Sequence, residues 1–251
     1  MGFLLLASGC ATTHSNDPKD PWEGFNRGMQ SFNDGVDDYL MKPVAKGYQW
    51  ITPEFVDQGV SNFFSNLNDI GVFANCAMQG KMLQSSQDMA RFLLNTTLGV
   101  AGLVDVSTIL DLPKHNEDFD QTLAVWGVPT GPYLVLPFLG PSSPRGVFGL
   151  AGDAAMNPVT YTGVFVNPAW IAAVSTVGAT AVKVVDNRAD NLGTERVATE
   201  AAALDRYQFF RDAYLANRNY LVNDGNVPEE DVLKFEDLKD EGYGPFILKK
   251  Q

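Results

Sequence analysis

Residues 121–182 carry only two charged side chains, Arg145 and Asp153, in a chain that holds 18 Lys/Arg and 30 Asp/Glu overall. Such a stretch packs as core or lies against lipid, where charge is costly. A helix that crosses a bilayer needs ~20 continuous apolar residues. Asn157-Pro158 and Asn167-Pro168 cut residues 154–182 into the short pieces "VTYTGVFV" and "AWIAAVSTVGATAV". Upstream lies "GPYLVLPFLGPSSPRG", residues 131–146, with Pro132, Pro137, Pro141 and Pro144. Each proline removes an N–H donor and clashes with the preceding helical turn, and none suits a central strand. This apolar segment is therefore neither helix core nor sheet core. Broken backbone at membrane depth survives only where protein or water meets its polar groups. The expectation is that residues 121–182 lie at lipid depth without crossing as a helix. Leu134, Leu136, Phe138, Trp170 and Ile171 are the lipid-depth candidates.

The flanks read as helical. Asp20 stands as an N-cap before Pro21, with Glu23 two residues on. Trp22, Phe25, Met29, Phe32, Val36 and Leu40 follow at helical spacing, and Pro43 ends or kinks that helix. Ser85 and Asp88 form a capping-box-like pair ahead of an apolar face of Met89, Phe92 and Leu93, which Gly99 closes. The longest helix is expected over residues 195–221, with Leu204, Tyr207, Phe210, Arg211, Tyr214 and Arg218 on one side and Gly225 as the stop. "YLVLPFL" supplies at most one arm of a short hairpin. The fold class is mainly α.

A reaction centre is hard to find. The net charge of −12 and a longest basic run of Lys249-Lys250 argue against binding nucleic acid, which needs clustered cations. His14 falls in a polar stretch. His115 sits near Glu117, Asp118 and Asp120 and reads as part of a capped turn. Those acids lack the spacing of a calcium loop. "QGKML" lacks the glycine spacing and hydroxyl of a phosphate loop, and neither G-x-S-x-G nor H-E-x-x-H occurs. No catalytic residue, metal or cofactor is assigned. Cys76 reads as a small buried hydrophobe. Cys10 ends "MGFLLLASGC", which resembles a bacterial lipobox. That likeness makes residues 1–9 a shortened signal peptide and Cys10 the acylated mature N-terminus, with Ala11 sorting it to the outer membrane. Residues 10–20 then form the lipidated tether.

Four motifs in order carry a wider resemblance: "DPWEGFNRGMQSFND" (20–34), "KPVAKGYQWITPEFVDQGVSNFFSNLND" (42–69), "RFLLNTTLGVAGLVDVS" (91–107) and "LPKHNEDFDQTLAVWGVPTGPYLVLPFLGPSSPRG" (112–146). With "DRYQFFRDAYLANRNYLVNDG" they resemble the MlaA (VacJ) family of outer-membrane phospholipid-transport lipoproteins. The resemblance implies a membrane-embedded helical ring over residues 21–225, in the periplasmic leaflet, with a central amphipathic pore. The acidic tail 226–251 lies outside it. It also implies phospholipid as cargo, a trimeric porin and the periplasmic carrier MlaC as partners, and no bond chemistry. Pore or gate candidates on that likeness are Asn62, Phe63 and Phe64, and the loop of Gly127, Pro129 and Gly131. Relatives often read Gly-x-Gly where this chain reads Gly127-Val128-Pro129, so a hinge role does not transfer to Pro129. The competing reading is a lipoprotein that scaffolds porins without moving lipid. An envelope lipid hydrolase would need a nucleophile and base that the motifs lack.

Overall fold

The computed structural model describes residues 17–161, 169–192 and 205–226. Within them the fold is helical with one two-stranded hairpin. Helix α1 (Glu23–Val36) runs through a five-residue π-helical turn, Asp37–Met41, into α2 (Lys42–Ile51). Pro43 therefore does not end the helix. It occupies the first turn of α2, and the wider turn just before it accommodates the missing N–H. The rod stops at Thr52, which takes the extended backbone that a following proline favours.

Helices α3 (Glu54–Met78) and α4 (Met82–Thr97) form an antiparallel pair joined by a tight turn at Gly80, whose φ is +80°. Short α5 (Val106–Ile109) and α6 (Phe119–Val125) are capped by Asp105 and Asp118, which accept from Thr108 N and Gln121 N. Strands β1 (Leu134–Leu136) and β2 (Gly140–Ser142) pair with Val135 opposite Pro141. Then come α7 (Pro144–Met156), a 3₁₀ turn (Pro158–Tyr161), α8 (Ala169–Asp190) and α9 (Arg206–Val222). Ser143 caps α7 with Pro144 in its first turn. Gly225 stops α9 at φ +79°, donating to the Tyr220 carbonyl. No helix among the described residues is long and apolar enough to cross a membrane.

Among the described residues burial is largely inverted relative to a water-soluble protein, apart from a small apolar cluster of Tyr133, Val135 and Tyr207. The interior holds Asp20, Asn26, Asp69, Asn75, Asp88 and Arg91, all essentially fully buried. Tyr39 and Trp50 are 89% and 87% exposed, and Phe55, Phe138 and Phe148 also stand out. Aqueous folding does the reverse, since burying apolar area is its main drive and a buried charge is costly unless paired.

Two helix starts differ from expectation. Asp20 is not an N-cap: it is fully buried and accepts from Asn26 Nδ2 (2.9 Å) and the Tyr207 hydroxyl. That ties the start of the described chain to α9, and Trp22 takes the cap position without a side-chain bond. Ser85 lies inside α4, which begins at Met82, and its hydroxyl donates to the Phe73 carbonyl at 2.8 Å across the α3–α4 contact. The buried face of α4 is Asp88, Arg91 and Asn95, whereas Met89 and Leu93 are exposed. For α9 the described part starts at Arg206, with Asp205 as its cap. Residues 195–204, the tail from 227, Cys10 and the segment before Asp17 lie outside the described residues.

Candidate functional site

The proline-broken apolar segment is held by two asparagines of α1. Asn26 and Asn33 are seven residues apart and so share one helix face. Asn26 donates to the Tyr133 carbonyl (3.0 Å) and accepts from Val135 N (2.9 Å). Asn33 donates to the Leu136 carbonyl (2.8 Å) and accepts from Phe138 N (2.7 Å). Together these amides act as a substitute strand edge along β1. They meet backbone polar groups along the hairpin that would be costly to bury unpaired.

The lipid-depth candidates separate on this scaffold. Leu134 and Leu136 are half-buried, whereas Phe138 is 72% exposed at the hairpin tip beside exposed Leu139. Phe138 has φ +64°, an uncommon state for a bulky residue. The Asn33 bond fixes it there, with the ring edge-on to Phe32 at 5.3 Å. Trp170 and Ile171 fall in α8, and their side chains lie outside the described residues.

The two candidate gate segments sit on different supports. Asn62, on α3, donates to the Leu103 carbonyl (3.1 Å) and accepts from Gln58 Nε2 (3.0 Å). It thus ties α3 to the turn after α4. Phe63 is half-buried and Phe64 buried, their rings edge-to-face at 5.5 Å. In the other segment Gly127 forms the end of α6 at φ +87°, with Pro129 exposed beyond it. Gly131 has φ +76° as well, and a Cβ there would stand 3.0 Å from Pro144 Cγ. Arg145 latches this loop to α7: Nη1 donates to the Val128 carbonyl (3.1 Å) and its backbone N to the Thr130 carbonyl (3.3 Å). No hydrogen bond among the described residues joins the two segments.

Beneath the loop is a buried ionic network. Arg145 Nε donates to Asp120 Oδ1 (2.7 Å), and Arg218 of α9 forks onto both oxygens of Asp118 (2.7 and 2.9 Å) while Nε reaches Asp120 (2.9 Å). Burial pushes Asp120 upward, but bonds and charge from Arg145 and Arg218 outweigh it and hold the carboxyl below its usual range. Beside the network lies a cavity of about 250 Å³ between α3, α6, α7 and α9, with Asn68, Gln121 and Asp153 in its wall.

The sequence profile of the MlaA lipoprotein family matches residues 18–221. The chain belongs to the MlaA lipoprotein family. A relative from Shigella flexneri, named intermembrane phospholipid transport system lipoprotein MlaA, is 33% identical over 237 residues, 92% of this chain and 90% of its own. The protein of that name from Haemophilus influenzae is 33% identical over 246 residues, covering 92% and 94%. A solved structure described as the structural basis for maintenance of bacterial outer membrane lipid asymmetry superposes with a TM-score of 0.66. It is 30% identical and covers 81% of this chain and 99% of its own.

Much of the interior seen here escapes sequence reasoning. Arg91, fully buried, forks its Nη2 onto Asp105 (2.9 and 3.0 Å) and donates to the Leu112 carbonyl (2.7 Å). Asn95 adds a bond to Asp105 (3.0 Å) and accepts from Ser107 N (2.9 Å). His115, read as part of a capped turn, meets Asp88 of α4 (Nδ1 to Oδ2, 2.9 Å) rather than the acids that follow it in sequence. Glu117 binds Lys81 (2.9 Å) and Gln79 (2.8 Å), while Asp118 and Asp120 take the arginines. Cys76 is fully buried as expected, and burial pushes its thiol up to about 12, far from a nucleophile's range. The signal for the network was present: Asp105, Asp118 and Asp120 recur at helix starts. Nothing in one dimension pairs them with Arg91, Arg145 and Arg218.

Proposed function

We propose that this MlaA-family chain is an outer-membrane lipoprotein that takes mislocalised phospholipid from the outer leaflet and delivers it toward the periplasm, so maintaining lipid asymmetry. The observation that carries the reading is the inversion of burial. Exposed Trp50, Phe55, Phe138 and Phe148 suit contact with acyl chains, while an interior of paired acids, amides and arginines suits a charged head group. A body clad in this way lies within one leaflet, anchored through Cys10 and by its own apolar surface. The head group moves along polar groups through an amphipathic pore while the tails remain in lipid. Asn62, Phe63 and Phe64 and the Gly127–Gly131 loop restrain entry. A trimeric porin holds the protein in place, and the carrier MlaC receives the lipid. No bond is made or broken.

The test is the amount of phospholipid exposed in the outer leaflet of cells that lack the protein and of cells resupplied with it. Exposure should rise on removal and return to normal on resupply. Deleting Asn62 and Phe63 should leave the protein present at normal levels yet raise surface phospholipid again. Unchanged lipid distribution in the absence of the protein would sink the transport reading and leave the porin scaffold.

A further inference from the structure

We infer that the cavity between α3, α6, α7 and α9 is a subsite for a primary ammonium group, the aminoethyl head of a phospholipid, held by Asp153, Gln121 and a side-chain amide of Asn68 or Asn116. This rests on the lipid-transport reading and adds a head-group class to it.

The inference starts from which acceptors are already used. Glu117 and Asp118 border the cavity, but Lys81, Gln79 and Arg218 satisfy them. Lys81 also binds Asp224, and Arg218 is shared with Asp120. Both nearby cations are thus spent. Asp153 is different. Its Oδ1 accepts from Phe119 N (2.9 Å) and Asn75 Nδ2 (3.3 Å), while Oδ2 has no partner and the carboxylate no ion pair among the described residues. Burial pushes Asp153 up to about 6, as fits an acid lacking its counter-charge.

A second acceptor is independent of the acids. Gln121 is only 2% exposed and lines the cavity. Its Nε2 is fixed on the Asn116 carbonyl (3.0 Å), which leaves Oε1 without a partner among the described residues. That oxygen stays accessible and Gln121 lines the cavity, so it can accept from a donor bound there. Asn68 and Asn116 are exposed at the same cavity and bring further carbonyls.

The chemistry selects among head groups. With Lys81 and Arg218 already paired, the wall offers a phosphate no spare cation but offers a cation the unpaired carboxylate of Asp153, so the ammonium enters and its own phosphate stays at the mouth. A trimethylammonium carries the charge but has no N–H to give Gln121. A primary ammonium offers three donors and a positive charge together. The aminoethyl methylenes meet Leu67, Val72 and Leu221. A space of about 250 Å³ suits a head group rather than a whole lipid.

The test titrates the purified full-length protein in detergent with dihexanoyl phosphatidylethanolamine, phosphatidylcholine and phosphatidylglycerol by calorimetry, with spermidine as a non-lipid amine. The ethanolamine lipid should bind at least about tenfold more tightly than the other two, the worth of one charge-assisted hydrogen bond. Asp153→Asn should erase the preference. Asn68→Lys, at an exposed position that leaves the buried network intact, should do the same by placing an ammonium at the cavity. Equal binding of all three lipids by the native protein overturns the inference and leaves transport standing. A preference that survives both substitutions overturns this location. Spermidine binding as tight as the ethanolamine lipid's overturns the head-group assignment in favour of a free amine. Absence of binding to any lipid overturns the inference and the transport reading together.

Discussion

Replacing Asn26 by alanine should unfasten the proline-broken hairpin from α1. Asn26 is fully buried, and its amide serves three groups: the Tyr133 carbonyl, Val135 N and Asp20 Oδ1. Alanine can serve none of them. Tyr207 still donates to Asp20, so that carboxylate loses one of two close donors, whereas the two backbone groups lose the bonds that join them to α1. At about 1–3 kcal/mol for each buried group left unsatisfied, the two backbone groups give an expected loss of about 2–6 kcal/mol. That is a large part of the roughly 5–15 kcal/mol that holds an ordinary domain together. Asn33→Ala is the graded comparison. It removes two bonds from a half-buried site, so the loss should be smaller, about 1–3 kcal/mol. The assay is urea unfolding of the detergent-solubilised protein followed by tryptophan fluorescence, with hydrogen exchange read at the Val135 amide. Exchange at Val135 should accelerate in Asn26→Ala before global unfolding. A loss below about 1 kcal/mol with Val135 still protected would refute the claim that α1 substitutes for a strand edge.

Three further outcomes follow from other parts of the fold. Asp105→Ala leaves the guanidinium of fully buried Arg91 without its carboxylate and should cost about 3 kcal/mol in the same unfolding assay, whereas a neutral result would mean that Arg91 finds water. Gly131→Ala should lower the melting temperature more than Gly127→Ala. Both have positive φ, worth about 1–2 kcal/mol, but only at Gly131 does a Cβ press on Pro144, so equal effects would contradict the packing. Burial, only partly offset by Lys114 and Arg91, pushes the Asp69 carboxyl up to about 6 from 3.8. The folded state then binds the extra proton, so stability is highest below pH 3.8 for this group and falls as pH rises to about 6. Asp69→Asn should flatten that slope and stabilise the protein at pH 7.5 by about 2 kcal/mol, and an unchanged slope would show that Asp69 is not its source.

The sequence by itself determined the local units. Helical flanks, one arm of a short hairpin in "YLVLPFL", the stop at Gly225 and the burial of Cys76 follow from periodicity, proline and glycine placement and side-chain size. The charge-poor stretch and the family motifs were legible in the same way, as properties of neighbouring residues. The proposed pore residues were marked only by likeness: Asn62 and Gly131 prove to rest on Leu103 and Pro144, partners that lie far away in the chain. Tertiary structure alone decided which side of each helix faces inward. Periodicity identifies two faces of α4 but is symmetric between them. Only the folded chain shows Arg91 and Asn95 inside and Met89 and Leu93 outside. It also decided that Asp20 bonds to Tyr207 and Asn26 rather than capping α1, and that Arg145 and Arg218 share Asp120. The physical reason is that a polar group can be buried only where partners from distant segments converge on it, and that convergence is a property of packing in three dimensions.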